Sequence, residues 1–425
     1  MAYFQEVKAK NKKGYKWRCV LEAPPHPVTG KRRQISRTAD TKKEALARAE
    51  AALEKLIDDG IDEREIKNLP FEKMAWEWLN VYAKSGVKKG SVRVREKEIK
   101  IILQHYAKVN IDKVTPRLHQ KMLNDMHEKG YTKKGENGEI IYKPYATTTI
   151  EGVNTTANMI FKYAIKHKMI KDNPCEGVVI PKKTLTVEEI EGNAIEEMYF
   201  ERNELEEFLS AAIKYGLPLD KEWFYLLAFS GMRVGEMLVL KWSDIDFKRN
   251  EIRITKTLYN PDNNMKKYEL TPPKTKGSIR TIGMDAEIME MLKAYKAKQN
   301  EIVMANRMLP DGKGGTIPNP DYHDGDFVFC RHNGYPFIQK NVNIRMQRIL
   351  KKTSIKKRAT PHILRHTHIS MCAEAEVDLP TIMKRVGHED QETTLKIYTH
   401  VTEKMKKDAN QKIKNVFGDI LKNTK

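Results

Sequence analysis

Apolar and polar residues alternate near the start of the chain. Tyr15, Trp17, Cys19 and Leu21 are separated by Lys16, Arg18 and Val20, the two-residue period of a strand with one apolar face. A turn through Pro24, Pro25, His26, Pro27 and Gly30 leads into a basic strand, KRRQISRTAD, so the segment predicts two or three short strands. Thr41 followed by Glu44 is a capping-box signal, and Ala45 to Ile57 is strongly helix-forming with Gly60 as the stop. Beyond residue 69 the period changes. Phe71, Met74, Ala75, Trp78, Leu79 and Tyr82 recur at three- and four-residue steps, as do Ile99, Ile102, Leu103 and Tyr106, so both stripes predict helices with a buried face. A third helix is expected with Thr115 as N-cap, Pro116 at its first position and Gly130 past its end. A fourth runs from about Thr147 to His167, and YTKKGENGEIIYKP between them predicts a hairpin.

Residues 182–194 carry little apolar pattern and predict an interdomain linker. The region beyond is mainly helical, with a strand-rich stretch from Glu251 to Met284 in which Ile252 and Ile254 alternate with charge. The expected architecture is a multidomain α+β chain. A small β-sheet plus helix occupies 1–62, an all-α domain 68–181, and a mainly α domain with a small antiparallel sheet 195–425.

Charge adds a partner to this picture. The 425 residues include 77 Lys plus Arg against 57 Asp plus Glu, a net charge of +20, which favours a polyanion and nucleic acid first. Hydrophobic residues make up 40% of the chain, enough for real cores. No run of about eighteen apolar residues predicts a membrane span. The opening MAYFQEVKAKNKKG has no signal-peptide pattern, so a cytoplasmic protein is expected. Cys19, Cys175, Cys330 and Cys372 are scattered, with no Cys-x-x-Cys pair, and are expected to be reduced and structural; no metal or other cofactor is implied.

The candidate chemistry lies toward the C-terminus. SGMRVGEMLVLKWSDID sets Arg233 at a helix start, with Met237, Leu238 and Leu240 as apolar anchors. A guanidinium suits phosphate because its planar fork gives bidentate bonds and stays charged. In TPPKTKGSIRTIG, Lys274 and Lys276 lie on a turn between two expected strands. His362 and Arg365 are three apart in TPHILRHTH, so on a helix they share a face. Val386, Gly387 and His388 precede Tyr398 by about a helix length. A phenol has a pKa of about ten and attacks poorly unless nearby positive charge favours the phenolate.

In order, Arg233, a lysine, His362-x-x-Arg365, His388 and Tyr398 resemble the signature of the tyrosine recombinase (phage integrase) family. The resemblance implies a metal-free reaction in which Tyr398 attacks a DNA phosphate and forms a 3′-phosphotyrosyl link. Arg233 and Arg365 would stabilise the transition state, Glu236 would support the site, and His362 would act in acid and base steps. His388 would bond the phosphate or assist the nucleophile, and His366 would orient its neighbours. Lys274 would protonate the leaving oxygen, with Lys276 as the alternative. The first sixty residues resemble, more weakly, the arm-binding domain of phage and conjugative-element integrases, so Lys31, Arg32, Arg33 and Arg37 are expected to contact DNA. The implied partners are double-stranded attachment sites, a homotetramer on DNA, and accessory DNA-bending or excision factors. The tail, with Ile413, Val416, Phe417, Ile420 and Leu421 on one side of a helix, would pack in its own chain or on a neighbouring protomer. Alternatives are a type IB topoisomerase, an Xer-type chromosome resolvase, and a DNA-binding regulator with a dead site.

Overall fold

A computed structural model of the chain describes residues 2–11, 13–25, 32–59, 69–134, 139–182, 195–273, 276–312, 315–387, 392–402 and 405. Lys31, Lys274, His388 and the apolar stripe of the tail lie outside the described residues, as do Gly60 and most of the expected linker. Packing divides the chain into two compact units, Met1–Thr184 and Leu185–Lys425.

The first unit opens with three antiparallel strands, β1 (Tyr3–Lys8), β2 (Tyr15–Ala23) and β3 (Arg33–Ala39), in the order β1-β2-β3. One face is closed by α1 (Lys42–Asp59). Small residues make that close approach possible, since Cys19, Leu21, Ile35 and Ala39 meet Ala45, Ala49, Ala52 and Leu56. Thr41 Oγ1 accepts a bond from the Glu44 backbone N–H at 3.2 Å, giving one of the helix's unpaired N-terminal donors a partner.

Next come four helices, α2 (Phe71–Lys84), α3 (Lys89–Tyr106), α4 (Pro116–Glu128) and α5 (Thr147–Lys166). Their three- and four-residue stripes meet in one core of Phe71, Met74, Trp78, Ile99, Ile102, Met122, Met126, Ile160 and Phe161, among others. Thr115 caps α4 by accepting from the Leu118 N–H at 3.2 Å, with Pro116 in the first turn. Between α4 and α5, β4 (Tyr131–Lys134) and β5 (Ile140–Lys143) form the expected antiparallel hairpin. Among the described residues no helix is long and apolar enough to cross a membrane.

The second unit is mainly helical, with α6 (Arg202–Tyr215), α7 (Asp220–Ser230) and the short α8 (Val234–Met237) in its first part. A small sheet follows from β6 (Ile245–Asp246) and β7 (Glu251–Ile254). A separate hairpin pairs β8 (Thr257–Tyr259) with β9 (Glu269–Thr271), and β10 (Arg280–Gly283) returns to β7, giving the order β10-β7-β6. α9 (Ala286–Arg307), α10 (Gln339–Leu350), α11 (His362–Glu374) and α12 (Leu379–Val386) complete the frame with a helical stretch over 392–402. A large core joins Trp223, Phe224, Leu227, Met237, Leu238, Ile252, Ile282 and Leu364. A second, smaller core gathers Tyr199, Ile369, Ala373, Ile382, Val386, Ile397 and Val401.

Strands β9 and β10 flank the lysine-bearing segment, as the sequence predicts, but they do not pair with each other. Instead β9 pairs with β8 and β10 pairs with β7, in different sheets. Pro272 and Pro273 directly after β9 lack backbone N–H donors and cannot extend its ladder, which separates the two strands.

A buried ion cluster braces α7 against α10. Asp220, fully buried, sits 2.5 Å from Arg345 and 3.0 Å from Arg348, and the Arg345 guanidinium lies 4.4 Å from the centre of the Trp223 ring. Replacing Asp220 with Ala would leave Arg345, only 14% exposed, without its carboxylate. Unfolding of this unit in urea, followed by tryptophan fluorescence, should show a loss of about 3–5 kcal/mol. A loss under about 1 kcal/mol would mean that the cluster contributes no more than a surface pair.

Candidate active site

The path from sequence to site begins where α7 stops. Gly231 takes the left-handed conformation (φ +63°), and a side chain there would come within 2.6 Å of the His368 ring. That turn delivers Arg233 to the N-cap of α8, one turn ahead of Glu236. Glu236 Oε2 accepts from the Arg233 backbone N–H and Oε1 from the Arg233 guanidinium, both at 2.9 Å, so one carboxylate fixes both the helix start and the side chain. The Arg233 side chain is 31% exposed and also donates to the Gly387 carbonyl at 3.2 Å.

α11 supplies the next residues. His362 is its first residue and Arg365 follows one turn later, as the three-residue spacing requires. Arg365 is 1% exposed and donates to the Gly231 carbonyl at 2.7 Å, tying α11 to the turn that presents Arg233. Burial, and after it the charge of Arg233, presses the Arg365 guanidinium down to about 8. His362 is exposed at the cleft, yet the protein packed around its ring and the charges of His366, Arg365 and Arg233 push it down to about 4, a shift that its contact with solvent moderates and that favours the neutral imidazole. His366 lies 4.6 Å from His362, edge to face, and its Nδ1 donates to the Met198 carbonyl at 3.0 Å; this bond orients the ring that backs His362. Arg233 and His362 open onto a cleft of about 550 Å³ lined also by Gln339, Lys340, Asn343 and Thr360.

Two groups were missed by sequence reasoning. Arg280 on β10 is buried and is a second guanidinium on Glu236, at 3.0 Å. The signal available was only an arginine alternating with apolar residues in a strand, which reads as an exposed position. His368, also buried, accepts from Arg385 Nε at 2.9 Å through Nε2, so its Nδ1 carries the proton that it donates to the Ala228 carbonyl at 2.9 Å. Its neighbours therefore call for the neutral ring, and burial followed by Arg385 presses it down to about 3.

Arg233, Arg365, His362 and Glu236 thus come together. Tyr398 lies on the helical stretch 392–402, half-buried against the smaller core, with Ile397 and Val401 as its anchors. Three guanidiniums surround one buried carboxylate, Glu236, whose carboxyl burial would raise but Arg280 and Arg233 hold below its usual range. Positive charge in excess at the edge of a cleft is suited to an anion with several oxygens.

Arg32, Arg33 and Arg37 belong to the N-terminal sheet. Register puts Arg33 opposite Ala23 and Arg37 opposite Cys19, on the face that α1 covers. Arg32 is exposed and paired with Glu22 at 2.5 Å. The open face instead carries Lys16, Arg18, Gln34, Ser36 and Thr38, because strand residues alternate sides.

Residues 198–405 match the phage integrase family. Over 388 residues the chain is 31% identical to the prophage ps2 probable integrase of Lactococcus lactis subsp. lactis, covering 89% of this chain and 92% of that protein. Its fold is similar to that of the Tn1549 transposon integrase in complex with a circular intermediate DNA, with a TM-score of 0.57 at 22% identity over 78% of this chain and 95% of that one. It is also similar to lambda integrase solved as a tetramer bound to a Holliday junction, with a TM-score of 0.52 at 16% identity over 93% and 94% of the two chains.

The neutral His368 sets a pH dependence. An unfolded imidazole titrates near 6.5, whereas the folded ring stays neutral to about pH 3. Below pH 6.5 the unfolded chain therefore binds a proton that the folded protein refuses, so this contribution is full above that pH and is lost as pH falls toward 3. Replacing His368 with Gln should flatten the acid limb of stability against pH by up to about 1.4 kcal/mol per pH unit. An unchanged slope in urea unfolding between pH 4 and 6.5 would contradict the neutral, buried assignment.

Proposed function

The chain belongs to the phage integrase family, and on that premise we propose that Tyr398 is the nucleophile with which it cuts and rejoins DNA at specific sites to move a mobile element. The observation that carries this reading is that Arg233 and His362 line one cleft, with Arg365 buried one helical turn from His362 and Glu236 bonded to Arg233.

In the proposed step the Tyr398 oxygen bonds to phosphorus as the P–O5′ bond breaks. The phenolic proton passes to His362, and Lys274 delivers a proton to the leaving 5′ oxygen, with Lys276 as the alternative. Arg233 and Arg365 stabilise the charge that grows on the non-bridging oxygens. His388 bonds the phosphate or assists the phenol. The phosphotyrosyl ester keeps the bond energy of the phosphodiester, so a 5′ hydroxyl from a second duplex reverses the step and completes exchange. Two duplexes present four strands to cut, so the proposal includes a tetramer on DNA; the tetrameric lambda integrase complex supports it. Accessory DNA-bending or excision factors are further candidate partners, and the cytoplasm is the proposed site of action.

Tyr398→Phe tests the reading most directly. It removes only one oxygen, so DNA binding should persist while covalent adducts on a nicked suicide substrate fall below detection. A persistent adduct in this variant would rule out the assignment.

We also infer that residues 1–62 bind a second class of DNA site and 68–181 help to hold the crossover core. The open face of the N-terminal sheet, with Lys16 and Arg18, now leads as the DNA-facing surface, ahead of Arg33 and Arg37; Arg32, just before β3, and Lys31, outside the described residues, remain candidates. Deleting residues 1–62 should erase one of two separated footprints on attachment-site DNA and spare cleavage at the core. Arg18→Ala should weaken that same footprint and lower the salt slope by about 0.9 for each phosphate that Arg18 neutralises. A truncated protein with the full footprint would end the two-site reading.

A further inference from the structure

We propose that Arg280 is a positioning residue for DNA cleavage: it neutralises the carboxylate that aims Arg233 and fixes the backbone leading into His388, leaving the charge of Arg233 available to the phosphate. The inference rests on Arg233 being a phosphate ligand, as argued above.

Arg280 is placed by β10, whose register with β7 sets it opposite Ile254. Its guanidinium reaches three elements at once. Nη2 donates to Glu236 Oε2 at 3.0 Å, Nη1 to the Ser278 carbonyl at 3.0 Å and more distantly to Glu236 Oε1 at 3.4 Å, and Nε to the Arg385 carbonyl at 2.7 Å. Two residues on from Arg385, the Gly387 carbonyl accepts from Arg233 Nη2 and from Ser278 Oγ, each at 3.2 Å. The turn at Gly387 is shaped around this guanidinium. Its φ is +68°, and a side chain there would come within 2.9 Å of Arg280 Nη1.

The charge balance gives the arrangement its purpose. Glu236 is 3% exposed, and a carboxylate buried that deeply must be paired. Were Arg233 its only partner, the pair would be neutral and the attraction for a phosphate weakened. Arg280, whose side chain is 4% exposed and does not line the cleft, answers the carboxylate from the interior, so Arg233 keeps its hydrogen bond to Glu236 for aim while its charge faces the cleft. A lysine has a single nitrogen and cannot serve the carboxylate and the Arg385 carbonyl with this geometry.

The test uses the full chain, a suicide substrate carrying the crossover core of its own element, and single-turnover cleavage. Arg280→Met should cleave on the order of 100-fold more slowly, the scale of a misplaced reacting group, with DNA affinity nearly unchanged. Because Arg280 acts through Arg233, adding Arg280→Met to Arg233→Lys should cost less than about threefold more. Multiplying losses in the double variant, or cleavage by Arg280→Met within about threefold of the parent, would overturn the proposal. If Arg280→Met does not fold, Ser278→Ala removes one bond to Gly387 without stranding a charge. It should slow cleavage at unchanged affinity and melting temperature, and no slowing would count equally against the idea. Normal cleavage by Arg233→Lys would remove the phosphate-clamp reading and this inference with it. Impaired Arg233→Lys beside normal Arg280→Met would remove this inference alone.

Discussion

The buried carboxylate of Glu236 is the constraint from which the second unit's site follows. An isolated ionised carboxyl cannot be held in an apolar interior, so the fold must bring cations to it, and the two that bond it come from different elements. Arg233 arrives with Glu236 on the same short helix. Arg280 arrives from a strand 44 residues on, held by the β10-β7 ladder. The backbone that ends α12 closes the ring by offering the carbonyls of Arg385 and Gly387 to the same two guanidiniums. Three otherwise separate pieces of chain thus share a handful of charged hydrogen bonds, which are about twice as strong as neutral ones and far more directional than packing.

A second constraint acts through the turn at Gly231. Its carbonyl receives Arg365, its left-handed backbone swings the chain from α7 toward Arg233, and the space above its Cα is taken by the His368 ring. His368 in turn is held as a neutral donor and acceptor between Ala228 and Arg385. The residues nearest the cleft therefore inherit their positions from a buried polar lattice, fully hydrogen-bonded at His368 and Glu236, rather than from the apolar core alone.

How much of this could be read from the chain depended on the range of the interaction. The helices announced themselves because three- and four-residue stripes such as Phe71, Met74, Trp78 and Ile99, Ile102, Tyr106 are local, and the Thr115 cap was local too. Arg233, Glu236, His362 and Arg365 were legible because each pair sits within one helical turn. Arg280 was not, since its meaning depends on partners 44 and 105 residues away. The basic strand hid its facing for a subtler reason. Lys31 to Arg37 reads as a charged surface, yet strand parity sets Arg33 and Arg37, both half-buried, on the side of Ile35 and Ala39. The two strands flanking the lysine-bearing segment were legible, but not their membership of different sheets, which follows from Pro272 and Pro273 stopping β9 from pairing onward.

The depressed proton affinities bear on how such a site would meet an anion. Arg365 at about 8 and His362 at about 4 are both pushed down by burial and by neighbouring positive charge. Bringing a phosphate into the cleft would reverse the second of these effects without changing the first. The guanidinium would then regain a strong preference for its charge, and His362 would become a better base as the phosphate draws a proton toward it. Arg233 is partly exposed and can meet an incoming phosphate early, whereas Arg365 lies deeper, braced by Gly231. On the proposed reading, the more exposed arginine would capture the phosphate and the buried one would hold it. The buried one is pre-oriented before the substrate arrives, so little reorganisation is left for the moment of attack.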